Sequence, residues 1–267
     1  MRVLFLGDIV GRPGYSAVKK QLTNIRAEHV IDFVVVNAEN AADGSGLTER
    51  QFKGLIEAGV NAITMGDHIY KKMELKPLLE RDPRIVKPAN YPASAPGRTW
   101  TVIRSTPANK SQPMMDVAVI SLMGRVYMRP VDCPFAAADR VLGEIPEHVK
   151  IRIVDIHAEA TSDKQLIGLY LDGRVSAVIG THTHVPTADG KILARGTAYQ
   201  TDAGMSGPYD SVIGRDVERV LQTTISFEPI HFHVATGDVR LCGSIIDVDN
   251  ETGKATSITR FEYRVAD

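Results

Sequence analysis

Five short apolar runs, each halted at a residue able to hold a metal ion, constrain this chain more than any other feature. The run at 3–6 stops at Gly7-Asp8, and that at 33–36 stops at Asn37-Ala38-Glu39-Asn40. The run at 62–65 stops at Gly66-Asp67-His68, that at 151–156 at His157, and that at 176–179 at Gly180-Thr181-His182-Thr183-His184. Runs this short have the length of strands, and their nearly continuous apolar character implies burial on both faces, as in a parallel sheet. Helical patterns fill the gaps between the first three. Pro13 suits a helix entry, and Val18, Leu22 and Ile25 continue at helical spacing to about Glu28. Thr48 with Gln51 makes a capping box for a helix through Ala58. Strand, helix, strand, helix, strand implies right-handed crossovers and a parallel sheet. Parallel strands present their carboxyl ends at one edge, where open α/β sheets form their sites.

The remainder extends the pattern and then changes it. A helix is expected near 73–79, and Pro88, Pro92 and Pro96 make 87–97 an extended loop. Strands are expected at 100–103 and 117–122, a loop at 131–134 and a helix at 135–142. Ser162 with Gln165 forms a second capping box, and Gly173 sits where a helix C-cap belongs. After His184 come short strands at 192–193 and 197–200, a glycine-rich loop at 204–214 and a helix near 216–221. From 225 onward, turns such as Thr236-Gly237-Asp238 and Glu251-Thr252-Gly253 join antiparallel strands. No linker separates the parallel half from the antiparallel one. A single domain over residues 1–267 is therefore expected, with two packed sheets and helices on the outer faces.

Charge narrows the partners. Lys and Arg number 31 against 32 Asp and Glu, so no basic surplus points to a nucleic-acid backbone. No apolar stretch approaches the ~20 residues that span a bilayer, and the first apolar run is too short for a signal peptide. Cys133 and Cys242 lie far apart and fit no metal or redox spacing. These features fit a cytoplasmic protein with reduced thiols. Apolar surface on the second sheet would support a homo-oligomer.

The strand ends carry the chemistry. Residues i and i+2 of extended chain project the same way, so His182 and His184 face one point. With Asp8, Glu39, Asn40, Asp67 and His157 they form a mixed carboxylate, amide and imidazole set without thiolate. Such a set suits manganese, iron or zinc over calcium or magnesium. Seven donors are too many for one ion with an open position, whereas two ions about 3.5–4 Å apart account for them. His68 also stands among the ligand-type residues at these strand ends. Glu159 is expected to face its loop. His231-Phe232-His233 shares the spacing of the central pair but is expected inside an antiparallel strand, lining a solvated face.

Gly7-Asp8, Asn37-Ala38-Glu39-Asn40, Gly66-Asp67-His68 and Gly180-Thr181-His182-Thr183-His184 together resemble the calcineurin-like metallophosphoesterases, and most closely their YmdB-like branch. Gly44-Ser45-Gly46-Leu47-Thr48, the stretch from His157 to Ser162 and that from Asp202 to Asp210 extend the resemblance over nearly the whole chain. It implies a four-layer αββα sandwich of two packed mixed sheets, of α/β class. It also implies a binuclear metal-dependent phosphodiesterase, hydrolysing phosphodiesters such as 2′,3′-cyclic nucleotides by a metal-bridging hydroxide. Asp8, Glu39, Asn40 and His184 would hold the first divalent ion, and Asp67, His157 and His182 the second, with Glu39 bridging and His68 donating the proton. Iron or manganese would be the metal, with zinc admissible. Two positions depart from the pattern: Val10 stands where the wider superfamily has a histidine, which the YmdB-like branch lacks too, and Asp67 stands where the family has asparagine. The added charge at Asp67 favours an alternative, a regulatory nucleotide- or RNA-binding protein with weak residual hydrolysis.

Overall fold

A computed structural model describes residues 1–266. In chain order, β1 (Arg2–Leu6) and the two-residue β2 (Asp8–Ile9) lead into α1 (Gly11–Glu28). Then come β3 (Phe33–Asn37), α2 (Glu49–Glu57), β4 (Ala62–Thr64), a 3₁₀ turn running into α3 (Lys76–Arg81), and β5 (Ile85–Val86). The middle of the chain holds β6 (Trp100–Arg104), β7 (Asp116–Met123), α4 (Pro134–Glu144), β8 (Ile151–His157), α5 (Thr161–Leu171) and β9 (Ala177–Thr181). The last third holds β10 (Lys191–Ile192), β11 (Ala198–Gln200), β12 (Met205–Pro208), α6 (Val217–Ser226), β13 (Val239–Val248) and β14 (Ala255–Arg264).

These strands form two mixed sheets. The first runs β2-β12-β13-β1-β3-β4-β5, with β14 also paired to β13; the second runs β10-β11-β9-β8-β7-β6. In the first sheet β1, β3, β4 and β5 are mutually parallel, and in the second β7, β8, β9 and β11 are. The chain does not divide into the expected parallel half and antiparallel half. The parallel strands are shared between both sheets, and the β13–β14 hairpin returns to lie against β1, with Arg2 opposite Asp247 and Leu6 opposite Gly243.

Alternation along the strands separates the layers. Val3, Phe5, Phe33 and Val35 of the first sheet meet Val117, Val119, Ile151, Ile153, Ala177 and Ile179 of the second, forming the central apolar layer. The intervening residues Leu4, Leu6, Val34 and Val36 face outward onto Val18, Leu22 and Ile25 of α1 and Phe52 and Leu55 of α2. On the far side, Ile120, Leu122, Val154 and Ile156 pack against Ala137 and Val141 of α4 and Ile167 of α5.

The Thr48–Gln51 capping box is formed, and Gly173 has the positive φ of a helix stop. The Ser162–Gln165 box is not: α5 starts two residues earlier than that box requires, with Ala160 at its cap, which leaves Ser162 inside the first turn. The Asp163 carboxylate there instead accepts the backbone N–H groups of Arg125 and Val126. His231, Phe232 and His233 lie in a loop between α6 and β13, not in a strand.

Candidate metal centre

All five strand ends converge. Sheet one contributes Asp8 from the β1–β2 join, Glu39 and Asn40 from the turn after β3, and Asp67 and His68 from that after β4. Sheet two contributes His157, the last residue of β8, and His182 and His184 beyond β9. Glu39, Asp67, His157 and His182 each offer an atom within 4.8 Å of all the others. The Nε2 of His157 lies 3.2 Å from Glu39 Oε1 and 3.2 Å from Asp67 Oδ1, and 3.0 Å from Nδ1 of His182. Asp8, Asn40 and His184 gather beside Glu39 as well. The amide nitrogen of Asn40 is 3.3 Å from Asp8 Oδ1, 3.3 Å from Glu39 Oε1 and 3.2 Å from His184 Nε2. His68 sits at the rim, its Nδ1 2.7 Å from Asn40 Oδ1.

Local backbone makes the approach possible. Gly66 lies so close to the His157 ring and the Glu39 carboxylate that any Cβ would collide with both. His182 and His184 adopt φ of 100° and 64°, a region that disfavours side-chain-bearing residues. The strain is held by the His182 N–H, which donates to Asp8 Oδ2 at 3.0 Å, and by Asp202. That carboxylate accepts both the N–H and the hydroxyl of Thr183, between the two histidines, and pairs with the fully buried Lys164 at 2.6 Å.

Partners behind the site decide which ring nitrogen faces inward. The Nδ1 of His184 is 2.8 Å from the Ile213 carbonyl, so it carries the proton and Nε2 faces Asp8 and Asn40. The Nδ1 of His157 is 2.9 Å from the Thr181 hydroxyl, which itself donates to Asp155 Oδ1 at 2.6 Å. The Nε2 of His182 meets Glu159 Oε2 at 3.2 Å, leaving Nδ1 toward the cluster. Glu159 therefore does not merely face its loop: it lines the cavity and orients a candidate ligand. Asn37, Asp155 and Thr181 form a buried network under His157 that nothing in their local sequence marks.

The electrostatics are those of a cation site. Asp8, Glu39 and Asn40 are buried, and among the described residues no Lys or Arg pairs with Asp8, Glu39 or Asp67. Only imidazoles do. Burial opposes ionisation of Glu39, but charge and hydrogen bonding from His157 and His68 hold it well below the usual carboxylate range. Burial likewise opposes ionisation of Asp67, yet the His157 hydrogen bond and nearby imidazole charge keep it below its ordinary value. Burial and the neighbouring His157 push His182 down to about 4, so it is neutral, as a ligand must be. Buried carboxylates with no ammonium or guanidinium partner, beside imidazoles with oriented lone pairs, fit one or more divalent transition ions. A cavity of about 320 Å³, lined by Glu39, Asn40, His68, Glu159, His182, His184 and Arg215, opens onto the cluster.

Residues 4–261 match the model of a family described as YmdB-like protein. The chain is 44% identical over 260 residues to the 2′,3′-cyclic-nucleotide 2′-phosphodiesterase of Bacillus subtilis (strain 168), covering 97% of this chain and 96% of that one. A solved structure of a Thermus thermophilus protein superposes with a TM-score of 0.90 at 40% identity, covering 99% of both chains. A solved structure described as a novel phosphatase, from Mycoplasma pneumoniae, gives 0.89 at 32% identity, covering 99% of this chain and 93% of that one.

Proposed function

The chain belongs to the YmdB-like family, and from that premise we propose that it hydrolyses 2′,3′-cyclic nucleotides at a metal centre on the shared edge of its two sheets. It is a phosphodiesterase, and the observation that carries this reading is the half-buried cluster of Glu39, Asp67, His157 and His182 in so close a relative of a cyclic-nucleotide phosphodiesterase. The layering supports a calcineurin-like sandwich forming one domain over 1–267. The free thiols of Cys133 and Cys242 fit a reducing, cytoplasmic compartment.

Asp8, Glu39, Asn40 and His184 would hold one ion, and Asp67, His157 and His182 a second, with Glu39 shared. Iron or manganese suits that donor set. When bound, such a pair neutralises phosphate oxygens and lowers the pKa of a water that attacks in line. The chain's own residues orient and protonate. Glu159, Thr181 and the Ile213 carbonyl fix the three imidazoles. His68 lines the cavity, and its hydrogen bond to Glu39 raises its pKa above the ordinary value against the effect of burial, favouring the protonated form. It gives that proton to the ribose oxygen as the P–O bond breaks and the water oxygen becomes part of a phosphomonoester.

Purified protein reconstituted with Mn²⁺ is expected to carry about two ions per chain and to open 2′,3′-cyclic AMP to a single phosphomonoester; intact substrate after prolonged incubation would overturn the reading. Asp67 supports a second reading, a nucleotide-binding regulator with weak hydrolysis, because its ionised carboxyl stands where phosphate must dock. Under that reading Asp67→Asn raises turnover or lowers KM. A clear loss in the variant removes the support.

A further inference from the structure

Beside the catalytic cavity lies a second one of about 690 Å³, walled by Arg12, Lys20, Asp43, His231, Phe232 and His233 among others. Three pairs of neighbouring residues show that the two share a wall. Val10 lines the first and Arg12 the second; Gly44 lines the first and Asp43 the second. Arg215 lines the first and pairs in an antiparallel bridge with Val234, which lines the second. The Arg215 guanidinium also ties the wall together, donating to the carbonyls of Asp43 at 3.0 Å and Gly44 at 2.6 Å.

The lining has the chemistry of a nucleotide site. Arg12 and Lys20 are exposed and, among the described residues, pair with no carboxylate. Asp43 is the wall's own carboxylate, and the Arg215 guanidinium lies within its field. The His231 and His233 rings stand edge to face, 5.5 Å apart, flanking Phe232. Cations that track a phosphate, next to aromatic faces that stack on a base without reading its sequence, are the two elements of single-strand recognition. Neither element serves the metal centre.

We propose that this cavity is a subsite for the nucleotide upstream of the reacting one, so that the preferred substrate is an oligoribonucleotide ending in a 2′,3′-cyclic phosphate. The terminal cyclic phosphate occupies the metal centre, the preceding phosphodiester meets Arg12 and Lys20, and the preceding base stacks on Phe232 and the imidazoles. This deepens the phosphodiesterase reading and rests on it.

The test compares Mn²⁺-loaded protein on 2′,3′-cyclic AMP and on the adenosine dinucleotide with a terminal 2′,3′-cyclic phosphate. A single stacked base should raise kcat/KM for the dinucleotide over that for the mononucleotide by roughly fivefold or more. Phe232→Ala and Arg12→Ala should remove that advantage through KM and leave cyclic AMP turnover unchanged. Equal kcat/KM on both substrates in the unsubstituted protein would overturn the subsite, as would equal losses on both in Phe232→Ala. Failure to turn over cyclic AMP would instead overturn the phosphodiesterase reading. The subsite is then read by calorimetric titration with the dinucleoside monophosphate ApA: binding weakened by Phe232→Ala supports it, and binding unchanged by the substitution overturns it.

Discussion

His68 stands apart from its neighbours in what its ring can do. Its Nδ1 is engaged by Asn40 and lies 3.3 Å from Glu39, while its Nε2 is 3.7 Å from Asp67, and the ring is partly open to the cavity. A general acid matters in proportion to the basicity of the leaving group and typically contributes ~10²–10⁴-fold. His68→Ala should therefore cripple hydrolysis of a 2′,3′-cyclic nucleotide, whose ribose alkoxide leaves poorly, and largely spare bis-p-nitrophenyl phosphate. Metal content measured on the same preparations should not change; parallel losses on both substrates, or a lost ion, would remove the acid role. The convergence of these side chains was legible because each follows a strand end, and strand ends of parallel sheets share an edge. Glu159 was not, because its part depends on how the His182 ring is turned, which only the fold decides. Asn37, Asp155 and Thr181 look like ordinary strand residues until β3, β8 and β9 bring them under His157. There, burial pushes the Asp155 carboxyl up to about 6 against the charge of His157.

At the scale of elements, the loop after β9 carries two histidines in an unfavourable backbone conformation, and α5 and the segment after β11 hold it there. Lys164 of α5 and Asp202 are both buried and lie 2.6 Å apart, and the same carboxylate grips Thr183. Removing one partner of a buried pair leaves the other charge uncompensated, at a cost of about 3–5 kcal/mol. Lys164→Met should lower Tm accordingly and also weaken metal binding, because the freed loop no longer presents His182 and His184 together. A variant that loses stability yet titrates with Mn²⁺ as before would show that Asp202 holds the loop without the lysine. The long elements could be read from periodicity and capping residues. The two-residue β2 and the four-residue β12 could not, since pairs such as Met205 with Asp8 form between glycine-bearing segments far apart in the chain. The placement of β13 against β1 was equally hidden: alternation predicts a strand but does not name its neighbour.

For the molecule as a whole, the two sheets meet at the site, so metal binding and fold stability are linked. Glu39 and Asp67 come from one sheet and His157 and His182 from the other. An ion held by all four ties the sheets at the edge where the Glu39 and Asp67 carboxylates otherwise face only imidazoles. A ligand that binds only the folded chain, present at about 1,000 times its Kd, stabilises by about 4 kcal/mol. For chains of roughly this size, each kcal/mol moves Tm by about 2–4 °C. Chelation should thus lower Tm by about 8–16 °C relative to Mn²⁺-saturated protein, and restored metal should recover it. The chelated chain should stay folded, because the central layer of Val3, Phe5, Val119 and Ile153 needs no ion. His182→Ala should shrink the shift, whereas His231→Ala, outside the cluster, should leave it intact. Identical melting with and without metal would mean that the convergence of these carboxylates and imidazoles is not an ion site, and the hydrolytic reading would lose its physical basis.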